Sequence, residues 1–89
     1  MAEVWIPRRL QRLTHGEKQV RVPGATIRQL IDELEARFPG IKSSLYDADS
    51  DALAPGLAVM IDGESTQLGL LERIDEDSEV HFLPAIAGG

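Results

Sequence analysis

"PGATIRQLIDELEARFPG", residues 23–40, is the stretch on which the fold turns. Ile27, Leu30, Ile31, Leu34 and Phe38 recur at the three- and four-residue intervals of one helical stripe, while Arg28, Asp32, Glu33 and Glu35 fall on the other side. Thr26 stands at the N-cap, and Gln29 three residues later completes the spacing of a capping box. Pro39 and Gly40 stop the pattern. The spacing predicts one amphipathic helix. Glu33 and Arg37, four apart, are placed to pair on its surface, a contact worth only about 0.3–0.5 kcal/mol.

A helix with one apolar face needs a second layer, and the segments on either side alternate with the period of strands. Upstream, Val4 and Ile6 oppose Glu3 and Trp5 in a strand that ends before Pro7, and Val20 and Val22 oppose Gln19 and Arg21 in a second. "RRLQRLTHGEKQ" joins them, with Gly16 at a plausible turn, so a hairpin is the simplest connection. Downstream, "IKSSLYDADSDALAPG" is polar and irregular; Ile41, Leu45 and Tyr46 can tuck one turn against the core, and mobility is expected near Asp47 to Asp51. Leu57, Val59 and Ile61 alternate with Ala58 and Met60 ahead of the tight turn at Asp62 and Gly63. A short strand or turn is expected around Leu68, then a polar loop, and "EVHFL" is the final strand, with Val80 and Phe82 on one face and His81 and Leu83 on the other. The result is an α+β chain, a mixed sheet with one main helix packed on one face, consistent with a β-grasp. Ile27, Leu30, Ile31, Leu34, Val4, Ile6, Val20, Val22, Val59, Ile61, Val80 and Phe82 form the expected core.

One helix covers one face only. Alternation leaves Trp5, Met60, His81 and Leu83 on the other, and an apolar cluster there is the mark of a protein interface. His81 has no second histidine near it, His15 being far off in a loop, and the chain has no cysteine, so no metal site is expected. "DEDSE", residues 75–79, lacks the glycine and the ligand spacing of a calcium loop and reads as a solvated turn, although its acidity could steer a basic partner surface towards the adjacent tail.

Length and composition bound the rest. Eighty-nine residues suffice for one domain and a modest core. No apolar run approaches the roughly 18 residues that span a bilayer, and "MAEVWIPRRL" lacks a basic segment followed by an apolar one, so a cytoplasmic protein with no membrane partner is expected. The absence of cysteine removes disulfides and thiolate chemistry. A net charge of −6 repels a phosphate backbone, which argues against nucleic acid as a partner. No nucleophile, base and orienting group fall into one constellation, so an enzyme is not expected.

The last strand runs into "HFLPAIAGG", residues 81–89. Residues 1–83 read as the domain and 84–89 as an extended flexible tail reaching roughly 20 Å. Pro84 stiffens its exit and removes a backbone donor at the strand's end; Gly88 and Gly89, without Cβ, suit a narrow channel in a partner. A carboxylate presented there resists attack until it becomes an acyl adenylate, after which a sulfur nucleophile can take the carbonyl.

With "IP" at Ile6 and Pro7, "GATIRQLIDELEARFPGI" for the helix and "FLPAIAGG" at the end, the chain resembles the MoaD and ThiS family of ubiquitin-like sulfur carriers. "FLPAIAGG" and "LIDELEARFPGIKSSLYD" bring it nearest the CysO-type carriers, which serve a thiocarboxylate-dependent cysteine synthase; many MoaD-type carriers have "PP" where Pro84 is followed by Ala85. The resemblance implies that an E1-like activating enzyme, using ATP and magnesium, adenylates Gly89 and that sulfur transfer makes a thiocarboxylate. It further implies that Gly88, Ala87 and Ile86 thread into the partner, that Trp5, Met60, His81, Leu83 and Pro84 meet it, and that a cysteine synthase, a molybdopterin synthase large subunit or a thiazole synthase receives the sulfur. The carrier itself binds no cofactor. The other readings are a ubiquitin-like modifier joined to lysines, a non-catalytic β-grasp binding module, and a glycine end left by processing.

Overall fold

The computed structural model describes residues 1–66 and 68–84. β1 (Ala2–Trp5) and β2 (Gln19–Val22) pair antiparallel, with Val4 opposite Val20 and Ala2 opposite Val22. The link between them is not a bare hairpin loop: residues Arg8–Thr14 wind into a 3-10 helix that buries Leu10 and Thr14. The Thr14 hydroxyl, fully buried, lies 3.1 Å from the carbonyl of Gln11 and 2.7 Å from that of Glu17, so the inward polar group is satisfied. Three-residue helical spacing in "RRLQRLT" was masked by its polar composition. His15 (φ 56°) and Gly16 (φ 85°) then reverse the chain into β2.

α1 (Ile27–Arg37) forms as its pattern dictates. Thr26 accepts from the Gln29 amide at 3.3 Å, and the Gln29 side chain reaches back past the N-cap to the amide of Ala25 at 2.9 Å. Ile27, Leu30, Ile31 and Leu34 are each no more than 1% exposed, and burial of each contributes about 1.5–3 kcal/mol. Arg37 does not pair with Glu33; it donates to the carbonyl of Arg21 at 2.6 Å, because the C-terminal turn lies over β2 and a fixed backbone acceptor is closer than a solvated carboxylate.

α2 (Lys42–Leu45) is the expected single turn, with Ile41 and Leu45 wholly buried. The polar run after it is more ordered than its composition suggests. β3 (Tyr46–Asp47) and β4 (Ala52–Leu53) make a two-stranded ladder, with Asp47 opposite Ala52, and Asp51 at its turn accepts from both guanidinium nitrogens of Arg28 at 3.1 and 3.2 Å and from the Tyr46 hydroxyl at 2.6 Å. β5 (Leu57–Ile61) and β6 (Glu64–Ser65) flank the two-residue turn at Asp62 (φ 52°) and Gly63 (φ 83°), whose paired positive φ values match the twist of the strands they join. Around Leu68, where a short strand or a turn was expected, the chain makes a turn, the second 3-10 segment, Gly69–Leu71.

β7 (Glu79–Pro84) completes the sheet. Among the described residues the main sheet runs β2-β1-β7-β5-β6, so the last strand lies between the first, to which it is parallel, and β5, to which it is antiparallel. This is the β-grasp arrangement expected from the sequence. The first-with-last pairing was not part of that reading, since periodicity marks strands without saying which ones meet. Every expected core residue is buried except Ile61, half-buried near the edge strand β6.

Candidate functional site

Burial alternates along β1, β7 and β5, so each strand turns one set of side chains into α1 and leaves the other on an open face. Register then decides what meets on that face. Trp5 stands beside His81, and His81 beside Met60, a single row across three strands. The Trp5 and His81 rings stack, with centroids 5.1 Å apart and planes 21° from parallel. Leu83 lies two residues further along β7, beside Ala58, and Pro84 beside Leu57. All four apolar-face residues named from the sequence are half-buried and lie on neighbouring strands.

The indole Nε1 of Trp5 is shut off from solvent with no acceptor among the described residues. Leaving a buried donor unpaired costs about 1–3 kcal/mol.

β7 is paired with β1 over Glu79, Val80 and His81 and with β5 from Val80 to Pro84, so its last three residues are held by β5 alone. Pro84 closes the strand where a missing donor does least harm. Of the expected tail, residues 84–89, Pro84 is the last residue of β7, and Ala85, Ile86, Ala87, Gly88 and Gly89 lie outside the described residues.

The acidic run takes a place other than the one expected. Glu79 starts β7, beside Glu3, with its amide on the Asp62 carboxylate at 2.9 Å, so Asp75, Glu76 and Asp77 sit at the far end of the strand from Pro84. A strand of six residues separates its two end residues by about 17 Å. The acidity therefore does not adjoin the tail. His15 packs near Phe38, with ring centroids 6.1 Å apart, and does not join His81. Among the described residues no three histidines or carboxylates are grouped to hold a metal, and no helix is long and apolar enough to cross a membrane.

Two carboxylates are tuned by their surroundings, both on the helical side. The Arg28 guanidinium and the Tyr46 hydroxyl hold the Asp51 carboxyl below its ordinary range, and the same contact raises Tyr46. The backbone amides of Gly40 and Lys42, at 3.0 and 2.8 Å, lower Glu35. Neither group lies on the open face, and both read as structural pins. What the sequence reading passed over near the tail is Arg8 and Arg9: the dipeptide was visible, but only the parallel pairing of β1 with β7 brings it beside the exit.

The sequence profile of the ThiS family matches residues 4–89. The "Sulfur carrier protein CysO" of Mycobacterium tuberculosis (strain ATCC 25618 / H37Rv) is 35% identical over 89 residues, covering 97% of this chain and 96% of that one. The crystal structure of Mycobacterium tuberculosis CysO superposes with a TM-score of 0.89 at 31% identity, over 97% of this chain and 100% of that chain. A chain of the BexX/CysO complex from Amycolatopsis orientalis superposes with a TM-score of 0.88 at 34% identity, with both chains covered in full.

Proposed function

The chain belongs to the ThiS family, and from that premise we propose that it is a sulfur carrier of CysO type: a cytoplasmic protein cosubstrate with no active site of its own, whose terminal Gly89 is the group that reacts. In this reading a carboxylate oxygen of Gly89 attacks the α-phosphorus of ATP in an E1-like activating enzyme, with magnesium on the departing pyrophosphate. The mixed anhydride has AMP as its leaving group. A sulfide-level donor then attacks the carbonyl, the carbonyl–oxygen bond to AMP breaks, and the thiocarboxylate remains. A synthase receives the sulfur, and the CysO likeness favours a cysteine synthase over a molybdopterin synthase large subunit or a thiazole synthase.

One observation carries the reading: the family match continues past the last strand, which is paired with β1 and β5, through Gly88 and Gly89. Trp5, Met60, His81, Leu83 and Pro84 are the surface the partners grip while Ile86, Ala87 and Gly88 thread inward. The row formed by Trp5, His81 and Met60 supports that assignment.

The test is intact-protein mass spectrometry of the chain incubated with a CysO-activating enzyme from the same genome, ATP, magnesium and sulfide. Exchange of one oxygen for sulfur adds about 16 Da. In the same reaction, fluorescence of Trp5, the one tryptophan of the chain, reports whether the open face is covered. An unchanged mass with the correct enzyme counts against the carrier, and unchanged fluorescence at saturation counts against the face. Isopeptide-linked species of higher mass in cells would favour a protein modifier instead.

A further inference from the structure

Beyond Trp5 the chain leaves β1, and Pro7 leads into the first 3-10 helix, which begins with Arg8 and Arg9. Because β1 and β7 run parallel, with Trp5 beside His81, this segment advances alongside the last residues of β7. Pro7, Arg8, Arg9, Leu57, Phe82, Leu83 and Pro84 together line a cleft of about 410 Å³. Its floor is apolar: Leu57 and Phe82 belong to the core, and two proline rings and Leu83 add to them. Its rim is cationic. Arg8 and Arg9 are both exposed, and among the described residues no carboxylate lies within ion-pair distance of either.

The contrast with the rest of the surface is sharp. The chain carries a net charge of −6, and Glu3, Asp62, Asp75, Glu76, Asp77 and Glu79 gather at the opposite end of β7. The molecule is thus polarised along its last strand, negative where β7 begins and positive where the tail leaves it. A polyphosphate would be repelled by the net charge, whereas a protein loop with a few carboxylates meets mainly the local field. Guanidinium groups bind carboxylates through two parallel N–H donors, which fixes orientation as well as charge. Leu83 belongs both to this cleft and to the open face, so one partner surface can cover both.

We propose that the cleft receives an acidic loop of the protein that takes up the tail, an apolar side chain of that loop entering the floor while its carboxylates pair with Arg8 and Arg9. The proposal rests on the carrier reading and names the chemistry of the partner's surface at the mouth of its channel.

The experiment measures association of the full-length chain with the activating enzyme that produces the mass gain, by surface plasmon resonance at low and high salt. At ionic strengths of roughly 0.01 and 1 M the screening lengths are about 30 and 3 Å. Arg8→Glu with Arg9→Glu is expected to slow association about tenfold at low salt, with the gap closing to within about twofold at high salt. Arg8→Lys with Arg9→Lys, which keeps the charge, retains at least about half the rate. Glu76→Lys with Asp77→Lys, an equal and opposite change of net charge at the far pole, shifts the rate by less than about twofold.

Association unaltered by the glutamate pair at low salt, while the wild type still gains sulfur, overturns this proposal and leaves the carrier standing. Acceleration by the far-pole variant as large as the slowing by the near one assigns the effect to net charge and overturns it too. Self-association of the wild type that the glutamate pair abolishes would give the cleft to a second copy of the chain. No mass gain in the wild type removes the carrier reading and this proposal with it.

Discussion

Gly24 sits where β2 hands over to α1, and a Cβ built there would come within 3.0 Å of the backbone nitrogen of Leu30 and 3.2 Å of its Cα. Neither atom can yield without moving the helix, so space, more than turn geometry, excludes a side chain. Gly24→Ala is expected to cost about 1–3 kcal/mol in urea unfolding, in the range of overpacked sites. A midpoint equal to that of the wild type would mean that the start of α1 shifts freely. The requirement was hidden in the sequence, where "PG" reads only as a punctuation mark. Thr26, two residues on, was legible because its partner Gln29 is local. Arg37 was misread for the converse reason: its acceptor, the carbonyl of Arg21, is sixteen residues away.

At the scale of elements, α1 and the four principal strands were visible because their periods, 3.6 and 2, are written in consecutive residues. The β3–β4 ladder was not. Its ends are two residues each, too short for alternation to register, and its turn is held by a contact with α1 that no local pattern encodes. That contact has a pH signature. Asp51 is lowered by Arg28 first and Tyr46 second, so the carboxyl is more acidic in the folded than in the unfolded chain. The stability it supplies is therefore complete above the unfolded value, about pH 4, and is lost as pH falls through the lower folded value. Both side chains are largely exposed, 42% for Arg28 and 62% for Asp51, so the effect is small. Asp51→Asn is expected to lower the melting temperature slightly at pH 7 and to match the wild type at the acid end. Thermal melts across that range check it, and a gap that widened towards acid would contradict the assignment.

For the whole molecule, the fold class and the apolar row on the open face followed from patterning, and the family from the helix and the terminal motif. The strand order did not, because parallel pairing of β1 with β7 is a contact between the two ends of the chain. With it came the two facts that composition obscured: the acidic run lies at the far pole, and the arginine pair at the near one. The buried core among the described residues extends from Ala2 to Phe82. Deleting Gly88 and Gly89 is accordingly expected to leave the unfolding free energy within about 0.5 kcal/mol while abolishing the gain of sulfur. A truncated chain that melted far earlier would show that the end supports the globule and would undercut its use as a chemical handle.

The placement of β7 also has a mechanical meaning. In the proposed reading, a partner that takes up the end of the chain pulls along a strand paired with five residues of β5 on one side and three of β1 on the other. Tension in that direction loads those rungs side by side, in shear, instead of peeling them open one after another from an edge. On the carrier reading proposed above, that geometry suits a body gripped and released by its end.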